Sequence, residues 1–131
     1  MDANKFEYTD SDEFMKKYDE LRATGDMFLV YLTGGVDPTT NVSWCPDCDA
    51  ARPSIQTNCL DKIQIPVVKG VVLEKNTWVG VATHPYKKHP ILKAGGVPSL
   101  LLCQGDQVLM RADDEEHFKN DDFVASFTGE E

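Results

Sequence analysis

The chain has 131 residues, 41% of them apolar and 27% charged, which suits one soluble globular domain with a real hydrophobic core over residues 1–131. Thirteen Lys and Arg stand against 22 Asp and Glu, a formal net charge of -9. Such a field repels phosphate backbones and anionic lipid, so nucleic-acid and membrane-surface binding are excluded as expectations.

The N-terminus, MDANKFEYTDSDE, is acidic and polar and carries no signal-peptide core. A reducing, cytoplasmic location is the expectation that follows, and stable structural disulfides are uncommon there. Phe6 to Tyr8 reads as a short strand. Asp10 and Glu13 read as a capping pair, opening a helix that places Phe14, Tyr18 and Leu21 on one face and stops at Gly25. Met27 to Leu32 is an unbroken apolar run rich in strand formers, the pattern of a strand buried on both faces. The apolar runs are too short to span a bilayer.

A polar loop is expected over 34–43, and then comes Ser43-Trp-Cys-Pro-Asp-Cys48. Pro46 suits the first turn of a helix, where its missing N–H costs nothing. That helix is expected to run to about Lys62, kinked by Pro53. Ile65 to Leu73 reads as another interior strand. Residues 74–94 read as a long loop followed by a short helix near Tyr86 to Lys93. Val97 to Cys103 reads as a strand, turning at Gly105-Asp106 into a strand over Gln107 to Arg111. Phe118, Phe123, Val124 and Phe127 are assigned to one closing helix that starts near Asn120. The order β-α-β-α-β-α-β-β-α predicts an α/β layered fold: a central mixed sheet, parallel in the middle with an antiparallel C-terminal hairpin, flanked by helices.

Of the four cysteines, Cys45 and Cys48 form a CxxC pair, while Cys59 and Cys103 stand alone and read as small buried hydrophobes. A free thiol has a pKa of about 8.5, and only its thiolate attacks. Cys45 lies where the unpaired N–H groups and dipole of a helix start favour negative charge. Cys48 sits one turn further in. This makes Cys45 the nucleophile and Cys48 the resolving thiol of a thiol–disulfide exchange, with Cys45–Cys48 as the redox-active disulfide. Asp47 and Asp49 oppose thiolate formation beside the pair, stabilise the helix start, or both. Asp47 could also repel acidic substrates. Trp44 is either a core aromatic or the wall of a substrate groove. A zinc site is the rival reading of a CxxC. A closed site needs four ligands, and Cys59, Cys103, His84, His89 and His117 supply no second CxxC or HxxxH pair.

Trp44-Cys-x-x-Cys48, Pro53 five residues further on, and Val97-Pro98-Ser99 resemble the thioredoxin pattern. The resemblance implies a cis Val97–Pro98 bond, with Pro98 facing the CxxC and nearby backbone open to a substrate strand. Trp44-Cys-Pro-Asp-Cys48, the long 34–43 loop and the length of 74–94 are closest to the family of thioredoxin domain-containing protein 17 and its plant relatives named Clot. Residues 76–89 depart most from that family's pattern. Family membership would imply a monomeric disulfide reductase with no bound cofactor, recharged with NADPH electrons through a thioredoxin reductase. Its substrates would be small disulfides such as cystine, nitrosothiols, and selected protein disulfides or persulfides. Tyr31 stands where ordinary thioredoxin has a buried aspartate, and a phenol is a poorer base at neutral pH. Proton removal from Cys48 would then use water or another group oriented by Asp47 or Tyr31. A redox-controlled protein-binding module in signalling is the alternative that the resemblance also allows.

Overall fold

The apolar run that starts at Met27 lies at the centre of a five-stranded sheet in a computed structural model that describes residues 5–128. The strands of this sheet are β1 (Lys5–Tyr8), β2 (Met27–Gly34), β5 (Val67–Val72), β6 (Ser99–Gln104) and β7 (Gln107–Ala112), in the spatial order β1-β5-β2-β6-β7. The first three are mutually parallel, and β6 and β7 complete the sheet antiparallel. Between β2 and β5 come β3 (Val36–Asp37) and β4 (Val42–Ser43), which form a separate two-stranded hairpin.

Because side chains alternate across a strand, β2 feeds two cores. Phe28, Val30 and Leu32 pack with Phe14, Tyr18 and Leu21 of α1 (Ser11–Ala23). Leu29 and Tyr31 pack with Ala51 and Ile55 of α2 (Pro46–Ile55) and with Phe118, Val124 and Phe127 near the C-terminus. Cys103 belongs to the first layer and Cys59 to the second. The sheet therefore separates the two lone thiols, and burial pushes each up to about 12.

Four expectations change in detail. The 34–43 segment is not all loop, because its two-residue strands pair around a turn closed by Asn41 N–H donating to Asp37 O at 2.7 Å. α2 ends at Ile55 and passes into a π-helical turn over Gln56–Leu60. Pro53 has no N–H for the Asp49 carbonyl, so the regular ladder is already broken upstream of that turn. The helix expected over 86–93 is instead α3 (Pro85–Lys88). Pro90 forces His89 into extended backbone, and Lys93 takes a positive φ of 42°. The single closing helix divides: α4 (Glu115–Phe118) is capped by Asp114, and α5 (Asp121–Ala125) by Asn120, so Phe118 lies before the helix that starts at Asn120 and Phe127 beyond it, in a 3-10 turn over Ser126–Thr128.

Residues 74–94 do more than connect. Trp78, Tyr86, Leu92 and Ala94 fill the α1-side core, and the Lys87 ammonium lies 4.5 Å from the Trp78 ring centre. Two imidazoles hold this segment by accepting backbone N–H groups: His84 Nδ1 from Tyr86 at 3.1 Å, and His89 Nδ1 from Ile91 at 3.1 Å and Leu92 at 3.2 Å. Only a neutral imidazole can accept at that nitrogen. Burial holds both below the usual histidine range, and the Lys87 charge adds to this at His84. A depressed folded value means that this stability is present above the unfolded pKa of about 6.5 and is lost as pH falls through the folded value. The urea midpoint should therefore fall between about pH 7.5 and about pH 5, and His84→Asn/His89→Asn, which keeps an acceptor at each site, should flatten part of that fall. An equally steep fall in the variant would remove the two caps from the account.

Candidate active site

Strand β2 and helix α2 meet at the CxxC. Cys45 is the N-cap of α2, with extended backbone (φ -108°, ψ 100°), and Pro46 takes the first helical position. Cys45 and Cys48 are joined as a disulfide, their Cα atoms 5.2 Å apart. Backbone donors converge on both sulfurs: Cys48 N–H points to Cys45 Sγ at 3.2 Å, and Gly34 N–H to Cys48 Sγ at 3.2 Å. Both donors favour negative charge on the sulfur they face. Exposure separates the pair, since Cys45 keeps 6% of its surface and Cys48 none. An incoming disulfide meets Cys45 first.

The segment before the CxxC is tethered in series. Cys45 N–H donates to Ser43 Oγ at 3.1 Å, and Ser43 N–H donates to the Asp49 carboxylate at 3.0 Å. Arg52 closes the series at 2.7 Å from Asp49, and this guanidinium holds the Asp49 carboxyl below the usual carboxylate range, helped by the Ser43 N–H. Asp49 thus ties β4 to α2, which is more than a helix-start acid does. Asp47 is exposed and points into a cleft beside Pro98. Across from the disulfide, the Val97–Pro98 bond is cis, and Val97 O lies 3.4 Å from Cys45 Sγ, placed to accept from the thiol in the reduced state.

Trp44 is half-buried between the core and a cleft. The indole packs against the α1-side core, and its Nε1–H donates to Val72 O at 2.8 Å. It also lines a cleft of about 660 Å³ with Val36, Val42 and Leu73, all exposed. Tyr31 is buried in the α2-side core, and burial raises its phenol pKa, so it stays protonated at neutral pH. It lines a different cleft, with Gln56, Leu60 and Lys69. Among the described residues, no group of three or more His, Cys, Asp and Glu side chains could hold a metal ion. Also among them, no helix is long and apolar enough to cross a membrane.

Sequence reasoning did not find Gly34 and Ser43 as site residues, and it placed Asp49 beside the thiols without its tether to Ser43 and Arg52. Nothing in the sequence spacing ties Gly34 to Cys48, fourteen residues away.

Over residues 7–130 the chain matches the family model described as "Thioredoxin domain-containing protein 17-like, thioredoxin domain". It is 30% identical to the thioredoxin-like protein Clot of Oryza sativa subsp. japonica, covering 89% of this chain and 91% of that one. A shorter stretch, 56% of this chain, is 35% identical to an acireductone dioxygenase of Leishmania braziliensis, and it spans only 23% of that protein's length. Among solved structures, a thioredoxin from Nicotiana alata superposes with a TM-score of 0.56 at 14% identity, covering 88% of this chain and 87% of that one.

Proposed function

The chain belongs to the thioredoxin domain-containing protein 17-like family, its CxxC pair is that of a thiol–disulfide oxidoreductase, and from this premise we propose that it works as a cytosolic, monomeric disulfide reductase. The observation that carries the reading is the unequal exposure of two cysteines at one helix start: Cys45 keeps 6% of its surface and Cys48 none.

In the dithiol state, Cys45 thiolate attacks one sulfur of a substrate disulfide. A Cys45–substrate bond forms, the substrate S–S bond breaks, and the first thiol leaves with a proton. Cys48 thiolate then attacks Cys45 Sγ and releases the second thiol. Two electrons pass to the substrate, and Cys45–Cys48 becomes the disulfide. The Cys48 proton leaves through water or another group oriented by Asp47 or Tyr31. A thioredoxin reductase restores the dithiol at the expense of NADPH, and no cofactor binds this chain. The β3–β4 hairpin and residues 74–76 line the Trp44 cleft beside the CxxC and would narrow its approach. Cystine, nitrosothiols and selected protein disulfides or persulfides are then favoured over bulky folded partners.

The test couples the protein to a thioredoxin reductase and follows NADPH. Rapid turnover of cystine is expected, with insulin reduced at a small fraction of the rate of ordinary thioredoxin. No NADPH consumption with any disulfide would remove the reductase reading. Insulin turnover at the ordinary thioredoxin rate would remove the narrow range.

A further inference from the structure

A cleft of about 310 Å³ opens on the Pro98 side of the disulfide. Its floor is apolar: Ala51 and Phe118 are 4% and 6% exposed, and Pro98 is buried beside them. Its rim carries three exposed carboxylates, Asp47 from α2 and Asp113 and Glu115 from the β7–α4 junction. The lining has one cation, Lys119, and that ammonium is already engaged by Glu115 at 3.2 Å and Glu116 at 3.5 Å.

These features select together. Carboxylates alone would attract any cation, but a hydrated metal ion gains nothing from a floor of Ala51, Phe118 and Pro98. An apolar side chain would suit the floor and leave Asp47 and Asp113 unanswered, Glu115 being already paired with Lys119. A lysine or arginine satisfies both, because its methylene stem lies on apolar surface while its head stays at the wet edge. The cleft shares Val97 and Pro98 with the backbone beside Cys45 Sγ, so its occupant is a near neighbour of the attacked sulfur.

We infer that this cleft is a specificity subsite for a cationic side chain adjacent to the substrate's disulfide, and that the protein prefers disulfides in basic sequence. The inference rests on the reductase reading and adds the substrate class.

The test is a single turnover of the pre-reduced protein, with no recharging partner. The probes are the symmetric disulfides of capped Cys-Lys, Cys-norleucine and Cys-Glu dipeptides. In each reaction the protein's Cys45 and Cys48 thiols are oxidised to their disulfide, and the probe is reduced to two dipeptide thiols. Each rate is divided by the rate with dithiothreitol, which removes the effect of the lysine charge on the probe's own reactivity. The Lys probe should exceed the Glu probe by about tenfold at low salt, because exposed ion pairs contribute modestly and more than one carboxylate faces the head, with norleucine between them. That ratio should shrink at about 0.5 M salt and in Asp113→Asn/Glu115→Gln. Equal normalised rates for Lys and Glu, norleucine matching Lys, or a ratio unmoved in the variant would overturn the subsite and leave the reductase reading standing. Failure of all three probes to oxidise the protein would overturn both.

Discussion

Cys48→Ser is expected to turn the protein from a catalyst into a trap, while Cys45→Ser abolishes the reaction at its first step. The two sulfurs are one helical turn apart, yet their surroundings assign them unlike tasks. Cys45 caps the start of α2, keeps some exposure and faces the Val97 carbonyl at 3.4 Å. Cys48 is fully buried and takes an N–H from Gly34, so no substrate sulfur reaches it directly. Serine at 48 leaves the attacking thiol and its cap in place but removes the group that releases the mixed disulfide. Substrate should then accumulate on Cys45 in one-to-one amount, seen by mass spectrometry and removed by dithiothreitol. Serine at 45 should bind no substrate covalently and lower turnover by at least about a thousandfold, because an alcohol at neutral pH is not ionised as a thiolate is. Adducts on Cys48 in the Cys45→Ser protein, or residual turnover near that of the unsubstituted protein, would reverse the assignment. So would labelling of Cys59 or Cys103 during turnover. Both are buried, and burial holds both thiols protonated.

Legibility in the sequence followed how local each cause was. Met27 to Leu32 announced the central strand because burial on both faces leaves no polar gap in the run, and β2 is buried from Phe28 to Gly34. Gly25, Pro46 and Asn120 also showed in advance, since each acts on its own turn of chain, and each lies at a helix end. Residues 74–94 were opaque for the opposite reason. Trp78, Tyr86, Leu92 and Ala94 all reach the core, but they are too sparse to mark a continuous helical or strand pattern, and Gly80, Pro85 and Pro90 interrupt them. The fold there is made by tertiary packing and by the His84 and His89 caps. The β3–β4 hairpin was hidden by size, as two residues cannot show an alternation. The redox pair was plain from its spacing, whereas its supports were not. Ser43 and Asp49 meet across a turn, and Gly34 meets Cys48 fourteen residues away.

Gly34→Ala is the sharpest test of those supports. A methyl group at residue 34 would stand 2.9 Å from Cys45 Cβ, 3.0 Å from Ser43 Oγ and 3.1 Å from the Trp44 ring. None of the three is free to retreat. Trp44 is anchored to Val72 O, Ser43 is held between Cys45 and Asp49, and Cys45 caps the helix. The strain must therefore move the sulfurs or part β2 from α2, and it lengthens the Gly34 N–H contact to Cys48. Overpacking of this kind costs about 1–3 kcal/mol of stability. If a comparable amount is lost at the transition state, kcat/KM falls by about 10- to 100-fold. Gly70→Ala is the control, because its methyl would meet the Tyr86 hydroxyl at 2.8 Å and Leu32 at 2.9 Å in the α1-side core, among none of the residues that hold the disulfide. Both variants should unfold at lower urea. Assayed where each is still folded, only Gly34→Ala should slow the exchange. Equal rates in the two, despite matched losses of stability, would mean that β2 supports the helix without setting the position of its sulfurs.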